Sequence, residues 1–127
     1  MTDGELLVEV KRLCALWQQR LGVANWQLHF ETSAESGAGA LKVTRLSYYR
    51  KALVTIWTGV EDADKSPEQL SQNVLHEVCH LLLADIQDAI DQEFDGTGLM
   101  FRYFRNAYEV STDEVKSALW RAWERVA

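Results

Sequence analysis

The segment His76-Glu77-Val78-Cys79-His80 constrains this chain more than any other, because it places two imidazoles four residues apart around a carboxylate. In a helix, residues at this spacing lie about 40° apart on one face, so both rings can reach one cation. Apolar flanks predict that this helix is largely buried, where polar groups cost free energy unless partners satisfy them. The pattern predicts a zinc site. A coincidental histidine pair on a packing helix is the alternative.

The helix that carries this segment has a recognisable start. Ser66 can accept the first hydrogen bond as an N-cap, Pro67 suits the first helical position, and Gln69 completes a capping box. Apolar residues then recur at helical spacing from Leu70 to Leu82. The HExxH segment is therefore expected in the middle of a helix, where the geometry of a shared cation requires it.

The pattern before this helix predicts an α+β fold in a single domain, residues 1–127. Residues 4–21 have apolar positions at helical spacing and end at a glycine, which predicts an N-terminal helix. Residues 26–31 and 41–46 alternate apolar and polar, and residues 52–57 are rich in strand formers. We expect a small three-stranded sheet that is mostly antiparallel.

The chain after the HExxH helix carries two further predicted elements. The acidic segment 85–95 ends at Gly96-Thr97-Gly98, which predicts a short helix followed by a mobile loop. Apolar positions from Phe101 to Val126 then predict a long C-terminal helix. Ser111-Thr112-Asp113-Glu114 reads as a second capping box, so this helix is one that can break or restart there.

Charge and cysteine content exclude several classes of function. The net charge of −6 argues against a nucleic-acid partner and against a DNA-binding regulator, since phosphate binding requires a concentrated basic surface. Arginines 102, 105, 121 and 125 are scattered among acidic neighbours, as on a solvated face. The chain has neither a signal-like start nor an apolar run of about 20 residues, so we expect a cytosolic protein without a membrane partner. Cys14 and Cys79 are expected to be reduced and buried, and Cys79 should point away from the metal.

The tryptophans admit two interpretations. They could form a stacking surface for bases or sugars, but their helical or strand spacing beside other apolar residues favours the core. The five are Trp17, Trp26, Trp57, Trp120 and Trp123.

A catalytic zinc site requires a third protein ligand besides two histidines. A third histidine six residues after His80 would fall on Ile86, and an aspartate in a GTxD signature would fall on Leu99, so both arrangements fail. Glu109 and Asp113 read as ExxxD on the downstream helix, which suits a ligand and a carboxylate that receives the free N–H of a liganding imidazole. The competing ligand candidates are Glu114, Glu93 and Asp95. An ordinary solvent-facing acidic pair is the alternative.

With these motifs, the chain resembles the small gluzincin-type zinc metalloproteases, relatives of the catalytic core of thermolysin that phages and prophages often encode. The similarity covers most of the length as an order of elements: helix, Trp-initiated strand, further strands, HExxH helix and C-terminal helix with the glutamate. The resemblance implies a zincin-like fold, with Zn²⁺ bound by His76, His80 and Glu109. It also implies that Glu77 is the general base and that Asp113 accepts a hydrogen bond from a liganding imidazole. The long acidic connection and the lack of an obvious oxyanion donor depart from the family.

These roles predict the hydrolysis of a peptide bond in a protein or peptide substrate. Zinc lowers the pKa of its water and polarises the carbonyl, while Glu77 takes the proton and delivers it to the leaving amine. An edge strand, either 41–46 or 52–57, would align the peptide. Transition-state donors could be Tyr103, Tyr108 or Arg105.

A catalytically silent zinc-binding module that binds a host or regulatory protein is the alternative function. The small size of the chain favours this module, because little chain remains to build a substrate cleft. The intact Glu77 favours the enzyme, since a purely structural zinc site has no need of that carboxylate.

Overall fold

The fold combines four helices with one three-stranded sheet in the part of the chain that the computed structural model describes, residues 2–34, 40–46, 49–59, 65–94 and 98–126. The predicted α+β class is therefore confirmed. The elements, in chain order, are α1 (Asp3–Leu21), β1 (Gln27–Ser33), β2 (Leu41–Leu46), β3 (Lys51–Trp57), α2 (Pro67–Leu82), α3 (Ala84–Phe94) and α4 (Gly98–Val126).

Helix α1 is defined by a cap at each end. The Thr2 hydroxyl accepts a hydrogen bond from the Glu5 backbone N–H, and the Glu5 carboxylate accepts one from the Thr2 N–H, which completes a capping box. Gly22 ends the helix in the left-handed region at φ 71°, a conformation that favours glycine. The buried face of α1, Leu6, Val10, Leu13, Cys14 and Trp17, packs into the core.

Helix α2 begins where the sequence predicted. Ser66 accepts a hydrogen bond from the Gln69 N–H at 3.3 Å, and Pro67 occupies the first helical turn. The Gln69 side chain donates to Asn73 Oδ1 at 2.9 Å, so its amide supports the helix one turn further along. From Leu70 to Leu81, α2 buries an apolar face against α1 and β2. This central helix carries the HExxH segment.

The sheet is mixed, with strand order β1-β3-β2, and the prediction of a mostly antiparallel sheet was wrong. Strand β3 pairs antiparallel with β2 but parallel with β1. Two chain reversals separate β1 from β3, so these strands run in the same direction, and β3 lies between its two predecessors. Its inward residues Ala52, Val54 and Ile56 are almost fully buried, as expected of a central strand. Of the two candidate edge strands, β2 lies at an edge and β3 does not.

Helix α4 is continuous, so the break that the sequence allowed at Ser111 is absent. Thr112 is buried, and its hydroxyl donates to the Tyr108 carbonyl oxygen at 2.8 Å. This bond to the preceding turn replaces the cap that the sequence suggested. The loop predicted after α3 includes residues 95–97, which lie outside the described residues, as do residues 35–39, 47–48 and 60–64.

The tryptophans belong mainly to the core. Trp17 and Trp26 are buried, while Trp120 and Trp123 of α4 pack at the edge of the core, with ring centroids 6.1 and 6.4 Å from that of Trp17. Trp57 instead lines the cleft described below. Among the described residues, no helix is both long and apolar enough to cross a membrane.

We predict that Leu75→Ala lowers the free energy of unfolding by about 2 to 5 kcal/mol, the range for a leucine removed from a close-packed core. Leu75 is 0% exposed, whereas Leu82 on the same helix is 42% exposed. Leu82→Ala is the matched control and should cost less than about 1 kcal/mol. Urea denaturation of both variants measures the difference, and equal losses would contradict the packing of α2.

Candidate metal centre

The two histidines of α2 face the same space. Their ring centroids lie 5.0 Å apart, with ring planes inclined by 78°. His80 is buried and His76 is partly buried. One helical turn therefore brings two imidazoles together where a helix of this sequence predicts them.

Helix α4 brings Glu109 to this pair. Its Oε2 lies 3.5 Å from His80 Nε2, and one ligand atom from each of the three side chains lies within 4.8 Å of the others. A tetrahedral zinc ion with bonds of about 2.0–2.1 Å separates its ligand atoms by roughly 3.3 Å. The separation between His80 and Glu109 is close to this value, and the three donors, two imidazole nitrogens and a carboxylate, are of the types that hold zinc while leaving a fourth position for water.

Of the competing acidic residues, Glu114 and Glu93 do not join this cluster. Among the described residues, the only group of three or more that could hold a metal is His76, His80 and Glu109. Glu114 and Glu93 are exposed elsewhere on α4 and α3, and Asp95 lies outside the described residues. Cys79 is fully buried, and burial raises its pKa to about 11, so its thiol stays protonated.

Tyr108 lies behind His80. The Tyr108 hydroxyl is 3.2 Å from His80 Nδ1, while the other ring nitrogen of His80 faces Glu109. If Nδ1 carries the proton and donates a hydrogen bond to the Tyr108 hydroxyl, Nε2 presents its lone pair to a metal ion. Burial lowers the pKa of His80 to about 4, with contributions from His76 and two arginines. The imidazole is therefore neutral at pH 7, as a ligand must be.

His76 has a comparable partner in Asp113, which lies one turn after Glu109. Asp113 Oδ1 is 3.5 Å from His76 Nδ1 and 3.4 Å from Lys116 Nζ. This leaves the Nε2 of His76 for the cluster. The position is the one expected of a carboxylate that orients a liganding imidazole.

Glu77 is not part of the candidate metal cluster of His76, His80 and Glu109. Its Oε2 accepts a hydrogen bond from the Val43 backbone N–H of β2 at 3.1 Å. Burial raises the pKa of Glu77 to about 7; the Val43 hydrogen bond opposes this rise, and the charge of Glu109 adds to it. A carboxylate with a pKa near neutrality can accept a proton and release it again.

The predicted transition-state donors occupy different surroundings. Tyr103 is 65% exposed and packs against Phe104, and it does not line the cleft. The Tyr108 hydroxyl is directed to His80. Arg105 lies beside Glu109, with its Nε 3.9 Å from Glu109 Oε1, and it lines the cleft. Of the three, Arg105 alone has a position from which it could reach a bound carbonyl.

The cluster opens into a cleft of about 260 Å³ between β2, α2 and α4. Its lining also includes Leu41, Lys42, Val43, Arg45, Trp57 and Gln87. Arg45 lines the cleft although no sequence motif marks it as a site residue. A signal was present, because the alternation of β2 puts Arg45 on the same face as Leu41 and Val43, and so predicts an inward-facing charge.

We predict that Tyr108→Phe weakens zinc binding by about 10-fold, because the variant removes the group that fixes the ring of His80. Competition with a chromophoric chelator measures the affinity. Tyr103→Phe removes an exposed hydroxyl from the same helix and should leave the affinity unchanged. Equal affinities for both variants and the parent protein would refute this role of Tyr108.

We predict that, without metal, Glu77→Gln is more stable than the parent protein and that this difference in stability grows as the pH rises. Because the folded state raises the pKa of Glu77 from 4.5 to about 7, ionisation favours the unfolded chain. The stability gained in the variant should grow from near zero below pH 4.5 to at most about 3 kcal/mol above pH 7. Urea unfolding in a chelator, with the exposed Glu114→Gln as control, measures it. A difference independent of pH would show that Glu77 is not desolvated.

Comparisons with protein-family models, with curated proteins and with solved structures found no match to this chain. The resemblance to gluzincin-type proteases therefore rests on the HExxH segment, on Glu109 and on the order of the elements. The function has to be inferred from the chemistry of these side chains.

Proposed function

We propose that this protein is a zincin-like metallopeptidase of gluzincin type, with zinc bound by His76, His80 and Glu109. The observation that carries the proposal is the convergence of two helices: Glu109 Oε2 of α4 lies 3.5 Å from His80 Nε2 of α2, with His76 beside them. The neutral state of His80 and the carboxylate of Asp113 near His76 further support this assignment.

Zinc bound there would supply a Lewis acid that polarises the scissile carbonyl and makes a water molecule more acidic. Glu77 takes a proton from the attacking water while the oxygen of the water molecule bonds to the carbonyl carbon. The carbon–nitrogen bond then breaks, and Glu77 delivers the proton to the leaving amine. The products are a carboxylic acid and an amine, which become a carboxylate and an ammonium group at neutral pH, and no redox partner is needed.

The surroundings of Glu77 suit this role. The Val43 N–H holds the carboxylate from the side of the sheet, so Glu77 remains directed into the cleft without being a ligand. Burial raises the pKa of its carboxyl group to about 7. A zinc site used only for structure would not need a half-buried acid beside it, and this favours the enzyme over a catalytically silent zinc-binding module.

The proposed substrate is a peptide or an extended segment of a protein. Strand β2 lies at an edge of the sheet and lines the cleft through Leu41, Lys42 and Val43. An extended chain can add to such an edge through main-chain hydrogen bonds, which would align a peptide bond beside the metal.

We predict one zinc ion per chain in the parent protein and a loss of most zinc in His76→Ala, because two ligands hold the ion much less tightly than three. Glu77→Gln should retain zinc but lose at least about 100-fold in peptide cleavage, as expected when a general base is removed. Elemental analysis measures the metal. Mass spectrometry of a proteome-derived peptide mixture measures cleavage.

His29→Ala is the control for the zinc measurement, since His29 is exposed on β1, away from the cluster. Stoichiometric zinc retained in His76→Ala would overturn the ligand assignment. Equal cleavage by the parent protein and Glu77→Gln would overturn the assignment of Glu77. Bound zinc without cleavage in the parent protein would favour the silent module.

A further inference from the structure

The cleft carries positive charge on a protein that is acidic as a whole. The chain has a net charge of −6, yet Lys42, Arg45 and Arg105 all line the cleft. The acids that line it are Glu77 and Glu109, and the proposed function assigns both to catalysis and metal binding. Outside the lining, Asp88 faces Arg45 and Asp91 faces Arg105, so the geometry of these pairs decides how much positive charge remains for a bound molecule.

Arg45 supplies a fixed positive charge at the base of this cleft. Only 11% of its side chain is exposed, and its guanidinium donates to Asp88 at 2.9 Å and to Gln87. These contacts to α3 hold the side chain in place and offset part of its charge. Arg45 thus contributes potential, while its contacts with α3 restrict its movement toward a ligand.

Arg105 is held less tightly. Its guanidinium lies 3.9 Å from Asp91 Oδ1 and 3.9 Å from Glu109 Oε1, distances too long for hydrogen bonds. Asp91 Oδ1 is buried and accepts no hydrogen bond among the described residues. With 42% of its side chain exposed, Arg105 is positioned by charge and keeps N–H donors for another acceptor.

We propose that the cleft recognises a carboxylate of the substrate close to the scissile bond and that Arg105 is the residue that binds it. This inference rests on the proposed peptidase function. The planar fork of a guanidinium matches the two oxygens of a carboxylate. Arg45 and Lys42 add positive potential around that contact. The carboxylate is either an acidic side chain or the C-terminus of the peptide.

The first experiment measures binding without turnover. Zinc-loaded Glu77→Gln is titrated with fluorescein-labelled peptides that differ at one position, Glu against Gln, all with amidated C-termini. A second pair has Gln at that position and either a free or an amidated C-terminus. We expect one charged member to bind about 5- to 10-fold more tightly than its neutral partner, and the preference to shrink as salt screens the contact.

The variants test whether Arg105 is responsible. Arg105→Gln, made in the Glu77→Gln background, should remove the preference, and Arg105→Lys should keep part of it because the charge remains. Arg102→Gln is the matched control, since Arg102 is an exposed arginine of the same helix that does not line the cleft. Circular dichroism and zinc content identify any variant that fails to fold.

Cleavage provides an independent measurement. Zinc-loaded parent protein acting on a randomised peptide library should enrich Asp, Glu or a terminal carboxylate at one position near the cut, and Arg105→Gln should abolish that enrichment. If Arg105→Gln slows acidic and neutral peptides equally, Arg105 acts on the reacting carbonyl and the proposal is overturned. Equal binding of charged and neutral peptides also overturns it, whether or not the protein cleaves them. If the parent protein binds no zinc, the proposed function itself is overturned.

Discussion

The packing of α4 against α2 sets the position of every side chain in the candidate metal centre. Helix α2 supplies two imidazoles, but Glu109, Tyr108 and Asp113 all come from α4. Because all three residues lie on the side of α4 that meets α2, one helix contact delivers the carboxylate and both partners of the imidazoles. Any displacement of α4 by one turn would separate all of them together.

The local features of α2 and the spacing of Glu109 and Asp113 one turn apart on a later helix could be predicted from sequence, because caps, helical spacing and motif residues act within a few positions. The order of the strands could not, since pairing of β3 with β1 depends on contacts distant in the chain. Nor does the sequence choose among Tyr103, Arg105 and Tyr108 as transition-state donors, and the structure directs the Tyr108 hydroxyl to His80. This direction depends on how α4 rotates against His80, and an apolar repeat does not specify that rotation to within one residue.

Glu77 connects the sheet to the candidate metal centre. A single backbone N–H of β2 holds a carboxylate of α2, so the same strand that borders the cleft also orients the proposed base. Burial of this acid destabilises the metal-free fold near neutral pH. Such a cost is typical of positions where chemistry conflicts with stability, and it agrees with the role proposed for Glu77.

The insertion of β3 between two strands that precede it has a consequence for synthesis on the ribosome. Strands β1 and β2 leave the exit tunnel with no partner in the sheet, because neither pairs with the other. Their backbone groups depend on water until residues 51–57 emerge and pair with both at once. The sheet therefore cannot form before β3 has been synthesised, and unpaired strand edges of this kind are open to contacts with neighbouring chains.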